Sequence, residues 1–253
     1  MPAAMMAPRD ALRDLKKGWD DAGRKDPFWA VLSRPEKSGN RWGSDEFFKT
    51  GIEEIEGVMT HIGGLGIKVG RSRALDFGCG PGRLTQALTS HFDQVDGVDI
   101  SPSMIELART LNRYPDRCHY HANTETDLGI FGDSTFDFVY SWITLQHVGS
   151  AFTKGYLREF CRVLRPGGLV IFQLPGRKIG LRSRVGKFIP VVLMRQYRRI
   201  RFRDHPAAAM HGMPREEVVR FMEGLATEVL AVDSNEAAGS GWESFRYSCR
   251  RVG

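Results

Sequence analysis

The chain has little cysteine, and none of it is clustered. Cys79, Cys118, Cys161 and Cys249 lie scattered through 253 residues, with no CxxC and no metal-ligand spacing. That excludes a disulfide-stapled scaffold and a zinc ribbon, and it predicts reduced thiols and a cytoplasmic location. No apolar N-terminal segment reads as a leader, and the longest apolar stretch, residues 188–194, is too short to cross a bilayer. Internal repeats and low-complexity tracts are absent. Acidic residues are missing from residues 177–203, which hold ten Lys or Arg side chains. The whole chain is only +6, so the remainder is net acidic and the basicity is local.

What is present begins with Ala74-Leu75-Asp76-Phe77-Gly78-Cys79-Gly80-Pro81-Gly82-Arg83-Leu84. A short apolar run ends in an acid, a glycine-rich turn follows, and a helical pattern starts with Leu84, Ala87 and Leu88. This predicts strand, tight loop and helix, the first βα unit of a nucleotide-binding sheet. A dinucleotide fingerprint would need glycine at position 83, which is Arg. The acid at Asp76 would repel a pyrophosphate and suits a ligand bearing an ammonium group. A second strand is predicted over 95–100, with Asp99 at its carboxyl end, 17 residues after Gly82. A carboxylate there chelates ribose hydroxyls. Ser101-Pro102 supplies an N-cap and an N1 proline for the next helix.

Four blocks in this order resemble class I S-adenosylmethionine-dependent methyltransferases of the small-molecule type with a methyltransferase-11-like core. They are ALDFGCGPGRLTQAL, VDGVDISPSMIELA, HANTETDLGIFGDSTFDFVYSWITLQHV and REFCRVLRPGGLVIFQLPG, and the likeness spans roughly residues 72–175. The resemblance implies an α/β, Rossmann-like sheet of seven strands in the order 3-2-1-4-5-7-6, with strand 7 antiparallel. It implies S-adenosylmethionine as methyl donor and S-adenosylhomocysteine as product. It places Asp76, Gly78, Gly80 and Gly82 at the methionine end, Asp99 at the ribose, and Ile100 on the adenine. Met104 is either part of that adenine wall or helix core. After strand three the adenine contact falls on Asn123, Thr124 or Asp127; Asn123 and Thr124 are favoured, with backbone contacts near Leu128. Ser141 ends the predicted strand over 136–141, beside the cofactor.

Residues just beyond that strand lie where methyl group and acceptor meet, which makes Trp142, Gln146 and His147 the acceptor-side candidates. The Asn/Asp-Pro-Pro-aromatic signature of base-amine methylation is absent, as are a cysteine nucleophile here and an acidic metal cluster. A sulfonium is already electrophilic, so positioning and one base suffice. His147 is the candidate general base; its other reading is a hydrogen-bonding residue closing the loop.

Outside the core, Leu12, Leu15, Trp19 and Ala22 mark a helix stopped by Pro27. A second helix, from an N-cap at Ser44 to Gly63-Gly64, carries Phe47, Phe48, Ile52, Ile55, Val58 and Ile62. Residues 1–70 are thus expected to form a helical cap on a methyltransferase domain of residues 71–253, the whole a single structural unit. Trp19 and Trp42 are pocket candidates among the cap aromatics, most of which would be core. Strand five is expected over 168–173, a basic insertion over 177–210, a helix begun by Pro214, strand six over 229–233 and strand seven over 245–251. The insertion, with Arg198 and Arg199, reads as a solvated face or homo-oligomer contact, as a site for an anionic acceptor, or as a peripheral membrane contact for a lipid-linked one. The sequence points to methylation of a small molecule or glycan, at oxygen rather than nitrogen, and away from nucleic acid. The rival readings are an RNA methyltransferase and a non-catalytic S-adenosylmethionine-binding homologue.

Overall fold

The computed structural model describes residues 8–179, 210–239 and 241–253. Two helices, α1 (Pro8–Lys25) and α2 (Pro27–Val31), precede the long α3 (Ser44–Gly64). Then β1 (Arg73–Phe77), α4 (Arg83–Leu88), β2 (Gln94–Asp99), α5 (Pro102–Thr110) and β3 (Cys118–Ala122) follow in alternation. The second half holds β4 (Phe136–Ser141), α6 (Ser150–Val163), β5 (Leu164–Lys178), α7 (Arg215–Glu223), β6 (Thr227–Ser234) and β7 (Trp242–Arg251).

The seven strands form one sheet in the order β3-β2-β1-β4-β5-β7-β6. Pairs among the first five are parallel, while β7 runs antiparallel to both β5 and β6. This is the arrangement the resemblance implies. The central strands are apolar on both faces, as a parallel sheet covered by helices on each side requires. Side chains alternate across the pleat. Ala74, Phe138, Tyr140 and Ile171 pack with Ile55 and Ile62 of α3 and Leu84 and Leu88 of α4. Leu75, Val139, Val170 and Phe172 pack on the other side with Leu157 and Phe160 of α6 and Val218 and Met222 of α7. Complete burial of residues such as Phe160 and Phe172 contributes about 1.5–3 kcal/mol each.

The helix starts follow local chemistry. Ser101 caps α5, its hydroxyl accepting from Met104 N at 3.2 Å, with Pro102 in the first turn. Asp26 caps α2, so Pro27 both closes α1 and opens the next helix. Ser44 is not the N-cap expected from sequence: the capping position of α3 is Gly43, and no side chain caps that end. β5, β6 and β7 each extend beyond their predicted bounds. Periodicity marks the buried centre of a strand, whereas the ladder hydrogen bonds of β5 with β7 continue into exposed residues.

α3 is fastened to α4 by a nearly buried ion pair. Arg83 Nη2 donates to Glu54 Oε2 at 2.7 Å and Nη1 to Thr50 Oγ1 at 3.3 Å. Tyr140 of β4 donates to the other Glu54 oxygen at 3.1 Å. Gly51 permits this approach, since a Cβ there would lie 2.5 Å from Arg83 O. Arg83 is only 4% exposed, so losing its partner strands a buried charge. Glu54→Ala is expected to cost roughly 2–3 kcal/mol in urea unfolding, and pairing it with Arg83→Met should recover part of that loss.

Candidate active site

The glycine loop between β1 and α4 is shaped by backbone geometry. Gly78, Gly80 and Gly82 all have positive φ, at 83°, 51° and 87°. A Cβ on Gly78 would collide with Thr144, and one on Gly82 with the Tyr120 hydroxyl. The loop is tied to β2, because Gly78 N and Cys79 N both donate to Val98 O, at 2.8 and 3.0 Å. Asp99 completes the tie: one carboxylate oxygen accepts from Gly80 N and the other from Ser101 N, each at 2.9 Å.

Above this loop opens a cavity of about 520 Å³. Gly78, Gly80, Asp99, Ile100, Met104 and Asn123 form one end of its wall. The other end is lined by Leu12, Leu15 and Trp19 of α1, by Val31 and Leu32, and by Ile143, Gln146 and His147 from the segment after β4. The β6–β7 turn closes it with Ala237, Ala238 and Gly239. Among the described wall residues Asp99 is the only Asp, Glu, Lys or Arg. Ile143 has φ 57°, a left-handed conformation costly for a β-branched residue, and it sits on the wall.

Ten residues singled out from sequence therefore share one cavity: Trp19, Gly78, Gly80, Asp99, Ile100, Met104, Asn123, Trp142, Gln146 and His147. Others do not reach its wall. Trp42 is a correction: it is buried among Phe47 and Phe48, its indole N–H donating to Leu32 O at 3.1 Å. Leu128 is likewise core, packed with the face of the sheet that α6 covers, and its backbone N–H is taken by Glu159 at 2.8 Å. Gly82 lies against Tyr120, Thr124 stands off the wall, and Ser141 is wholly buried with no hydroxyl partner among the described residues. Arg198 and Arg199 lie outside the described residues. The apolar end was legible only in part: the segment after β4 and Trp19 pointed to it, whereas Leu12 and Leu15 read only as a helix face, and Val31, Leu32 and the β6–β7 turn carried no sign of a site. Tertiary contact alone brings them together.

His147 sits in a short 3₁₀ turn, Leu145–His147, and is nearly buried. Its Nε2 accepts from the Gln146 side-chain amide at 3.1 Å, and the Trp19 ring meets it edge-on with centroids 5.2 Å apart. No cluster of His, Cys, Asp or Glu among the described residues is arranged to hold a metal ion. No helix among them is long and apolar enough to cross a membrane.

Asp76 lies beneath the loop, fully buried, and accepts from Thr85 Oγ1 at 2.7 Å. Burial pushes its carboxyl up to about 7, against the pull of Thr85 and the Arg83 charge. Burial raises Asp99 as well, against the backbone N–H groups of Ser101, Gly80 and Ile100. Asp76 thus does not reach the cavity wall and acts on it from beneath the loop, whereas Asp99 lies on the wall. A carboxyl raised in the fold stabilises below its unfolded value and loses that contribution as pH rises through about 7. Asp76→Asn removes that pH-dependent loss. Its stability relative to the parent should therefore rise between about pH 4 and 7 by about 2–4 kcal/mol and then level off. Urea unfolding across that range checks it, and a flat difference would show an ordinary carboxyl.

Residues 75–172 match the family model described as a methyltransferase domain. A demethylmenaquinone methyltransferase from Tropheryma whipplei is 34% identical over 112 residues, covering 42% of this chain and 43% of that protein. A ubiquinone biosynthesis O-methyltransferase from Xanthomonas oryzae is 25% identical over 130 residues, covering 51% and 54%. The chain thus spans about half the length of these curated relatives. The magnesium protoporphyrin IX methyltransferase of Synechocystis, solved with bound S-adenosylhomocysteine, shares the fold with a TM-score of 0.65 at 13% identity, covering 95% of this chain and 99% of that one. With the sheet order, the glycine loop and Asp99 all in place, the chain carries a class I S-adenosylmethionine-dependent methyltransferase domain.

Proposed function

We propose that the protein transfers the methyl group of S-adenosylmethionine to an oxygen of a small, uncharged and largely apolar acceptor, with His147 taking the acceptor's proton. One observation carries this reading. A single cavity runs from the Asp99 end, suited to a nucleoside, to an apolar end with His147 on its wall. At the first end, the Asp99 carboxylate would hold the ribose hydroxyls, Ile100 and Met104 would flank the adenine, and Asn123 would meet its polar edge. Gly78 and Gly80 let the backbone approach the methionine portion, whose positive charge Asp76, beneath the loop, would favour.

When bound, S-adenosylmethionine supplies an already electrophilic methyl group. The chain's own part is then to hold the acceptor oxygen in line and to remove its proton. As the new oxygen–carbon bond forms and the sulfur–carbon bond breaks, the hydroxyl proton goes to His147, leaving S-adenosylhomocysteine and the methyl ether. Leu12, Leu15, Trp19, Val31 and Leu32 exclude water and would seat an apolar body. The described wall residues include no Lys or Arg, which suits a neutral acceptor; Arg198 and Arg199, on which an anionic acceptor would draw, lie outside the described residues. The named activities of the two quinone-related enzymes above point the same way.

Calorimetry with S-adenosylmethionine, followed by methyl transfer to a panel of neutral phenols and anionic analogues, tests the reading. Turnover on anionic acceptors alone would refute its substrate class, and binding without any turnover would favour a non-catalytic homologue. Asp99→Ala should weaken cofactor binding roughly 10- to 100-fold through loss of charged hydrogen bonds, read as Kd. His147→Ala should lower kcat about 100-fold and leave cofactor Kd nearly unchanged.

A further inference from the structure

Behind His147 a chain of polar side chains leaves the cavity wall and returns to it. Gln146 Nε2 donates to His147 Nε2 at 3.1 Å. Gln146 Oε1 accepts from Gln173 Nε2 at 3.3 Å, and that same amide nitrogen donates to Ser244 Oγ at 2.8 Å. Ser244 Oγ donates to Asn235 Oδ1 at 2.7 Å. Asn235 Oδ1 also accepts the backbone N–H of Ala237 at 3.0 Å, and Ala237 lies on the wall. The chain thus spans β5, β7 and the β6–β7 turn.

Its direction is set from the turn. The Ala237 N–H is a donor that cannot be reversed, so Asn235 must present its oxygen there. That oxygen takes the Ser244 proton, and the freed Ser244 lone pair takes an amide hydrogen from Gln173. Gln173 then offers a second amide hydrogen to Gln146, which must turn its oxygen inward and its NH₂ toward His147. An amide nitrogen does not accept hydrogen bonds, so His147 Nε2 carries the lone pair and the ring proton sits on Nδ1. The arrangement is costly as packing alone. Gln173 Oε1 and Asn235 Nδ2 are buried with no partner among the described residues, and apolar side chains would fill the space without that desolvation.

We infer that Gln173 is a positioning residue for the transfer proposed above, fixing His147, through Gln146, in the tautomer whose Nε2 is basic. The inference rests on that proposed reaction for its purpose, and on the hydrogen-bond chain for its content. Gln146 occupies the Nε2 lone pair until an acceptor hydroxyl takes its place.

The test uses the full chain with ¹⁵N-labelled histidine, His147 being assigned by the signals lost in His147→Gln. At about pH 8, above the usual histidine range, the unsubstituted protein should show His147 as the Nδ1–H tautomer. An Nε2–H pattern overturns the inference without any further variant. Gln173→Met keeps the length and removes the amide, and it should give a mixture of tautomers. With it, kcat should fall about tenfold with cofactor Kd unchanged. Ser244→Ala interrupts the chain one step further out and should act in the same direction, so the inference stays testable if Gln173→Met fails to fold. An unchanged tautomer in either folded variant overturns it. A tautomer shift in a protein that transfers no methyl group overturns the proposed function and leaves the hold of Gln173 on His147 standing.

Discussion

The carboxylate of Asp99 receives one hydrogen bond from Gly80 and one from Ser101, and the cavity is organised around that clasp. It joins the loop after β1 to the helix after β2 at the ends of two adjacent parallel strands. Without it the glycine loop would have only the Val98 carbonyl to hold it against β2. The neighbouring N-terminal helix depends on the same place. Asp20 of α1 accepts from Ser103 N at 2.8 Å, which fixes the cap over α5 and brings Leu12, Leu15 and Trp19 to the wall. A binding loop and its roof are thereby set against the same turn of α5.

The two ends of the cavity differ in origin, and that governs how they work. The cofactor end is built from strand tips and backbone N–H groups, whose positions the sheet dictates. The acceptor end adds to the segment after β4 side chains from α1, from Val31 and Leu32 and from the turn at Ala237, and these additions lie outside the parallel core. Such pieces change freely in shape while the sheet stays intact. The raised carboxyl of Asp99 stands at the first end, whereas side chains at the second are mostly apolar.

The core was legible in the sequence because its signals are local. Glycines at 78, 80 and 82, an acid seventeen residues later and short apolar runs each report on geometry within a few residues. Trp42 was misjudged because an aromatic residue in a cap serves core or pocket equally well, and only the packing with Phe47 and Phe48 decides. Ser44 was misjudged because Ser followed by an acidic turn resembles a cap, whereas the chain enters α3 one residue earlier. Gln173 gave no sign at all. A lone amide inside a strand acquires meaning only from Ser244 and Gln146, which are far from it in sequence and are brought within reach by the sheet.

The seventh strand in sequence is not at the margin of the sheet. β7 sits between β5 and β6 and bonds to both, so β6 has no strand to join until β7 has been added. On an emerging polypeptide, the long β5 therefore waits with an unpaired row of amide and carbonyl groups while α7 and β6 are synthesised. Such an edge invites pairing with other nascent chains. Final insertion of β7 quenches that edge and, in the same step, brings Ser244 against Gln173 and sets the β6–β7 turn on the cavity. Assembly of the sheet and completion of the reaction chamber are thus one event, so a chain caught before that step is both adhesive and inert.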